Sequence, residues 1–164
     1  MRRLTLVTLL MVAALGASFA HAQPLQELTL AQTQSQLKQG KLTLEQLSEY
    51  YLARIEQYDD KDQGLNAVVA INPRLSGRIA QLQYKLHSGN QLGRLFGAFV
   101  LVKDNIDIKG MANTAGAYAM RDHKPGSDAY IIARLKAEDA IILGKTNLSE
   151  WANFRSSISS SGYS

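Results

Sequence analysis

Apolar residues recur at helical spacing along much of the chain, and the helices that they predict carry recognisable start and stop signals. Thr29 and Thr43 are each followed three residues later by glutamine, which is the pattern of a capping box. The first predicts a helix that ends near Lys38, and the second predicts an amphipathic helix of about 15 residues. A third helix is predicted over 75–86, and Ser127 is predicted to cap a fourth.

Short apolar runs bounded by turn residues predict the strands. The clearest run, at 98–102, follows Gly97 and stops at Lys103. Two similar runs predict strands at 65–71 and 140–143. Because helices alternate with these strands, the order of elements predicts an α/β fold with helices packed on a sheet.

Segments without sustained periodicity predict the connections. Residues 106–108 alternate in polarity and predict a short edge strand. Residues 109–126 predict a long loop, interrupted at most by a short helical piece near 117–120. Residues 144–147 predict a turn that leads into a short helix at 148–152.

The first 22 residues have the pattern of a secretory signal peptide. Arg2 and Arg3 supply the positive charge, an apolar core follows, and residues 20–22 fit the small-x-small cleavage pattern. Cleavage would leave Gln23 at the new N-terminus of a protein that is periplasmic or secreted. An uncleaved anchor helix is the alternative, although the apolar core is short for a bilayer, which needs about 20 residues.

Composition excludes several classes of function. The 164 residues are 46% hydrophobic and 20% charged, as in one globular domain. The formal net charge is +4, but without Arg2 and Arg3 sixteen basic residues face fourteen acidic ones, which gives no argument for nucleic acid or an anionic membrane as a partner. The absence of cysteine excludes disulfides, thiolate metal sites and a cysteine nucleophile.

Three candidate sites have little support in the sequence. Gly144-Lys145-Thr146 lacks the earlier glycine of a phosphate loop. His87 and His123 have no partner at metal-ligand spacing, so the sequence does not predict a zinc site. A Ser-His-Asp triad would need a serine in a Gly-x-Ser-x-Gly elbow, which the sequence does not contain.

Lys103 is the remaining candidate for a catalytic residue. It stands where a buried strand opens into a loop, and functional groups in α/β sheets sit at the carboxyl ends of strands. A solvated lysine that only ends the strand is the simpler interpretation. In a mostly buried environment, however, a lysine side chain loses its proton more easily and can act as a general base for a serine.

Three segments of the chain resemble the amidase signature hydrolases. Residues 95–97 and 102–106, which read Leu-Phe-Gly and Val-Lys-Asp-Asn-Ile, are similar to the family's lysine segment. Thr-Ala-Gly at 114–116 is similar to the loop that follows it, and residues 140–151 are similar to the family's next strand and turn. The resemblance covers the chain from about Leu28 to its end. It implies a mixed sheet flanked by helices.

The resemblance also implies a function for Lys103. The family hydrolyses amides with a nucleophilic serine, a bridging serine in a cis peptide and a lysine, and Lys103 matches that lysine by its motif. Neutral Lys103 would take a proton through the bridging serine, and an acyl-enzyme would then yield an acid and ammonia or an amine. The implied substrate is a small-molecule or peptide amide, with no cofactor and, after signal cleavage, no membrane partner.

The same resemblance implies that the catalytic set is incomplete in this chain. The family's two serines lie in a glycine- and serine-rich segment that would follow Ser164. Residues 23–164 are therefore expected to be the N-terminal portion of an amidase domain, inactive by itself. The alternative is a truncated remnant without function, or a non-catalytic module that pairs with a separate C-terminal part. Two residues depart from the family pattern: Phe99 replaces a usual proline, and Asp139 replaces a usual glycine.

Overall fold

The structure, a computed structural model, describes residues 28–59 and 64–153. The expected signal peptide, residues 1–22, lies outside the described residues. Helices and strands alternate in the order α1 (Leu30–Lys38), α2 (Leu44–Tyr58), β1 (Val68–Ile71), α3 (Leu75–His87), β2 (Phe99–Lys103), α4 (Tyr130–Ala137) and β3 (Ile141–Thr146), with short 3₁₀ helices at Tyr118–Met120 and Glu150–Asn153.

The first two helices begin where the capping boxes predict. In α1 the Thr29 hydroxyl accepts the Gln32 N–H at 3.3 Å, and the Gln32 side chain accepts the Thr29 N–H at 2.9 Å. Thr43 and Gln46 make the same reciprocal pair at the start of α2. Two of the donors that a helix leaves unsatisfied at its N-terminus are thus paired in each case.

The predicted cap of the fourth helix is wrong. Helix α4 begins after Ala129, and no side chain caps it. Instead, the Ala129 N–H donates to the carbonyl oxygen of Asp107 at 3.0 Å. A contact with the loop after β2, which local sequence does not encode, therefore sets the start of this helix.

The three described strands form one mixed sheet in the order β1-β3-β2. β1 runs antiparallel to the central β3, and β2 runs parallel to it. The α/β fold with a mixed sheet and flanking helices is confirmed. Among the described residues, no helix is long and apolar enough to cross a membrane.

Two apolar clusters cover the faces of the sheet. The α2–α3 cluster contains Ile141 and Leu143 of β3 together with leucines of the first three helices, Ile79 and Phe96. The α4 cluster contains Ile142 of β3, Val102 of β2, and Ile108, Met111 and Ile132. Adjacent residues of β3 thus contribute to opposite cores, as expected of a strand that is buried on both faces.

Four segments between the predicted helices and strands can be compared with the structure. β3 continues through Gly144 to Thr146, where the sequence predicts a turn. Residues 106–108 form no strand, because the Ile106 N–H turns back to the carbonyl of Lys103 and Ile108 is buried in the α4 cluster. The helix predicted at 148–152 is a 3₁₀ segment at Glu150–Asn153 that contains left-handed residues, whereas the short helical piece near 117–120 is confirmed.

Asp139 occupies a left-handed turn, with φ 65°. Its buried carboxylate accepts the Gly93 N–H at 2.6 Å, pairs with Lys85 at 2.6 Å and lies 3.6 Å from Arg78. Burial lowers the pKa of the Arg78 guanidinium, and the charge of Asp139 opposes that shift. The aspartate therefore joins α3 and the following loop to the start of β3, which a glycine could not do.

Phe99 is the second residue that departs from the pattern of the amidase signature hydrolases. It packs against Tyr51, with the two ring centroids 5.2 Å apart.

We expect Gly144→Ala to destabilise the chain strongly. A Cβ at this position would lie 2.3 Å from the carbonyl oxygen of Ala70 in β1, so the strands would have to separate. The expected loss in free energy of unfolding is about 1–3 kcal/mol or more. Gly77→Ala is the matched control, because a Cβ there meets nothing within 4 Å and should add up to about 1 kcal/mol of helix stability. Urea unfolding curves that move equally for both variants would contradict this account.

We expect Asp139→Asn to lower stability by about 1–3 kcal/mol, because it removes the charge that Lys85 and Arg78 share. Asparagine tolerates a positive φ, so the backbone is not the cause. Glu138→Gln is the control, since its partner Arg94 is 84% exposed and such pairs contribute little. Thermal unfolding measures both, and an Asp139→Asn variant as stable as the wild type would refute the argument.

Candidate functional site

Lys103 is the last residue of β2, at the carboxyl end of the strand and opposite Thr146 of β3. Its side chain is exposed. Alternation along the strand places it on the same face as Phe99 and Leu101. The described residues therefore place Lys103 at the carboxyl end of a strand, as predicted, but they do not form the buried surroundings that a lysine base would need.

Lys145 lies at the end of the neighbouring strand, and a bulge in β3 decides where its side chain points. Val100 pairs with Ile142, whereas Leu101 pairs with Gly144, so β3 holds one extra residue at Leu143. A one-residue shift in register moves every following side chain to the other face of the sheet. Lys145 consequently shares the face of its partner Val102, inside the α4 cluster, and is 1% exposed.

The buried ammonium of Lys145 has three oxygen partners. Its Nζ donates to the carbonyl oxygens of Ile106 at 2.8 Å and Ala112 at 3.1 Å. It also lies 3.2 Å from Oδ1 of Asp104, the residue that follows Lys103. The ammonium thus makes two hydrogen bonds and one ion pair, all with oxygens of the segment that follows Lys103.

Asp104 extends the network into the loop that follows β2. Its carboxylate is buried, and Oδ2 accepts both the N–H of Thr114, at 3.1 Å, and the Thr114 hydroxyl. The same hydroxyl oxygen accepts the N–H of Gly116 at 3.1 Å. The backbone N–H of Asp104 donates to Thr146 at 3.0 Å. The segment around Thr114 is therefore folded back onto the end of β2.

The three segments that resemble the amidase signature hydrolases meet at this edge of the sheet. Asn147, just after β3, donates its backbone N–H to Ala67 at 2.7 Å. The Trp151 N–H donates to the carbonyl of Ala115 at 2.8 Å. A Cβ on Gly116 would lie 2.8 Å from the carbonyl oxygen of Leu148, so this position needs glycine for the close approach as well as for its φ of 68°.

Sequence reasoning identifies Lys103 but misses Lys145, Asp104 and Thr114. It considers Lys145 only as part of a phosphate loop, in a segment predicted to be a turn. A usable signal is present: a lysine directly after an apolar run, with an aspartate after the preceding strand, suggests a buried pair. In the structure Lys145 is buried and its ammonium is paired with protein oxygens, which does not fit a phosphate loop.

The amines of Lys103 and Lys145 differ in accessibility, because the first is exposed and the second is buried. Lys103 presents an exposed amine that could exchange protons with a group placed against the face of Phe99 and Leu101. Lys145 holds a charge in the protein interior, where its partners are fixed. Among the described residues, no group of three or more histidine, aspartate or glutamate side chains could hold a metal ion.

Comparison with known proteins places this geometry in a family. The family model described as Amidase matches residues 46–163. A probable amidase of Arabidopsis thaliana is 37% identical over 135 residues, which cover 80% of this chain and 26% of the plant protein. A glutamyl-tRNA(Gln) amidotransferase polypeptide of Streptomyces coelicolor is 36% identical over 129 residues, which cover 77% of this chain and 25% of the bacterial protein.

The solved structures agree with the sequence comparison. The native peptide amidase of Stenotrophomonas maltophilia is 40% identical and superposes with a TM-score of 0.77, over 84% of this chain and 28% of the peptide amidase. The chain spans about a quarter of the length of these relatives. Since the match includes β2 with Lys103, the Thr114 loop and β3 with its turn, the chain belongs to the amidase signature family.

Proposed function

We propose that this chain supplies the proton-transfer lysine, Lys103, to an amidase that hydrolyses carboxylic amide C–N bonds. The observation that carries the proposal is the position of Lys103, at the carboxyl end of β2 inside the segment that matches the family. Its side chain is exposed on the face that Phe99 and Leu101 share, where another part of a complete domain could place a serine. Covering that face would exclude water and favour the neutral amine.

The proposed mechanism divides the reaction into acylation and deacylation. In acylation, neutral Lys103 takes a proton through a bridging serine while the nucleophilic serine attacks the amide carbonyl. The proton then returns to the departing nitrogen, which leaves as ammonia or an amine. Water hydrolyses the acyl-enzyme by the same proton path and releases the acid. No residue of this chain is assigned to the nucleophile or to the bridging serine.

Substrate and location are part of the proposal. Similarity to a peptide amidase favours a peptide or small-molecule amide as substrate. The proposed signal peptide at residues 1–22 directs the protein to the periplasm or outside the cell. That location does not fit transamidation on tRNA, the activity named for the amidotransferase relatives.

A second candidate function is a non-catalytic module that pairs with a separate C-terminal part. Two features favour it over a remnant without function. The outer edge of β2 has no strand partner among the described residues. An apolar groove of about 630 Å³ between α2 and the sheet is lined by residues that include Tyr58, Leu65 and Leu101, and Leu65 is 78% exposed. Open strand edges and exposed apolar surface are typical of a surface that another polypeptide covers.

The role of Lys103 is testable in a fusion enzyme, in which this chain is joined to the part of the Stenotrophomonas maltophilia peptide amidase that follows the matched region. We expect the fusion enzyme to release ammonia from a peptide amide and Lys103→Ala to lower kcat by about 10²–10⁴-fold, because proton transfer is lost. Lys109→Ala is the control, since this exposed lysine keeps its backbone bond to Asp128. A folded but inactive fusion, or an active Lys103→Ala variant, would refute the hydrolase proposal.

Whether another polypeptide covers the apolar groove can be tested by measuring association. We expect this chain alone to self-associate in size-exclusion chromatography, and the separately expressed C-terminal portion of the peptide amidase to bind it. Leu65→Ser with Leu101→Lys should reduce self-association and weaken that binding, because both changes make the groove polar. Tyr84→Ser is the control, since Tyr84 is 73% exposed but lies outside the groove. Equal effects of the two variants would mean that the groove is not the contact surface.

A further inference from the structure

We propose that Lys145 is a positioning residue for Lys103, an inference that rests on the proposed proton-transfer role of Lys103. The two lysines lie at the ends of neighbouring parallel strands, and they differ in their surroundings. Lys103 is exposed, whereas Lys145 is buried and shares the face of its partner Val102, a residue of the α4 cluster. Lys145 is not available to touch a substrate, so any effect on the reaction must pass through the residues that it holds.

The contacts of Lys145 fall on the chain directly after Lys103. Its ammonium is bound to the carboxylate of Asp104 and to the carbonyl oxygens of Ile106 and Ala112. The Lys145 ammonium thus contacts the loop after β2 near its start, at Asp104 and Ile106, and further along, at Ala112. An apolar side chain of similar size could fill the space but could make neither the two hydrogen bonds nor the ion pair.

Lys103 is consequently held from both sides. Before it, β2 pairs with β3 along its length. After it, the Asp104 N–H is bonded to Thr146, and the Asp104 carboxylate bridges Lys145 to Thr114. The direction in which the Lys103 side chain leaves the sheet depends on its own backbone, and that backbone is fixed by its bonded neighbours. Misplacement of a reacting group by about 1 Å can lower a rate by about 10²-fold.

Energetics favour a geometric role for this buried charge. Transfer of an ammonium and a carboxylate from water to an apolar interior is costly, and well-packed apolar residues often serve stability equally well. Removal of only one partner leaves the other charge buried and unpaired, which opens the surrounding structure. For Lys145 that opening would be confined to the loop that carries Asp104, Ile106 and Ala112, since the three oxygen partners described for the ammonium all belong to it.

The first test uses the full chain and does not depend on activity. We expect Lys145→Met to accelerate amide hydrogen exchange by at least about tenfold at residues 104–116, while amides of β1 and of the paired part of β2 stay protected. Lys136→Met is the control, because Lys136 of α4 forms a more exposed ion pair with Asp128, which precedes that helix. Faster exchange that is uniform over the whole sheet would show that Lys145 only contributes global stability, and would overturn the proposal.

The second test measures turnover in the fusion enzyme. We expect Lys145→Met to lower kcat by about 10²-fold with little change in KM, because substrate binding is retained while the amine of Lys103 is misplaced. A structural role alone would lower the amount of folded enzyme and leave kcat per folded molecule unchanged. Should Lys145→Met fail to fold, Asp104→Asn keeps an oxygen acceptor and a similar shape, and it should lower kcat in the same direction.

The outcomes separate the two proposals. If Lys103→Ala abolishes turnover and Lys145→Met does not change kcat per folded molecule, Lys103 keeps its role and the positioning inference fails. If Lys103→Ala remains active, the hydrolase proposal fails, whatever hydrogen exchange shows. Local loosening in Lys145→Met together with a loss in kcat, and full activity of Lys136→Met, would support the inference.

Discussion

The burial of β3 on both faces and along both edges is the constraint on which the rest of the structure depends. Its side chains alternate between the two apolar clusters, and its backbone pairs with β1 on one side and β2 on the other. Gly144 makes the approach of β1 possible, because any side chain there would meet the Ala70 carbonyl. Both cores therefore meet at one strand of six residues, and the candidate site is built from the ends of that strand and of its parallel neighbour.

The bulge at Leu143 connects this constraint to the chemistry. If the side chains of β3 alternated without a bulge, Lys145 would lie with Ile141 and Leu143 on the face of the α2–α3 cluster. With the extra residue, Lys145 instead joins Val102 and meets the loop that follows β2. The buried ion pair with Asp104 exists because of a local irregularity in strand pairing, and such irregularities are common next to functional sites.

Much of the fold is predictable from local signals, and part of the site is not. The capping boxes at Thr29 and Thr43 are each complete within four residues, so the structure repeats what the sequence indicates. The start of α4 is not predictable, because it depends on a bond between Ala129 and the distant Asp107. Lys103 follows from its place at a strand end and from the family resemblance. The burial of Lys145 cannot be predicted in this way, because it depends on the face to which the bulge turns the side chain and on the position of the loop after β2.

The order of strands in the sheet explains why two lysines at adjacent strand ends have different environments. β3 is central, so a side chain near its end is enclosed by the loop that crosses from β2, and a lysine there must find oxygen partners. β2 lies at the edge of the described sheet, and its last side chain is exposed. The topology β1-β3-β2 therefore places an exposed lysine and a buried lysine side by side, and Asp104 links them because it follows Lys103 in the chain and pairs with Lys145.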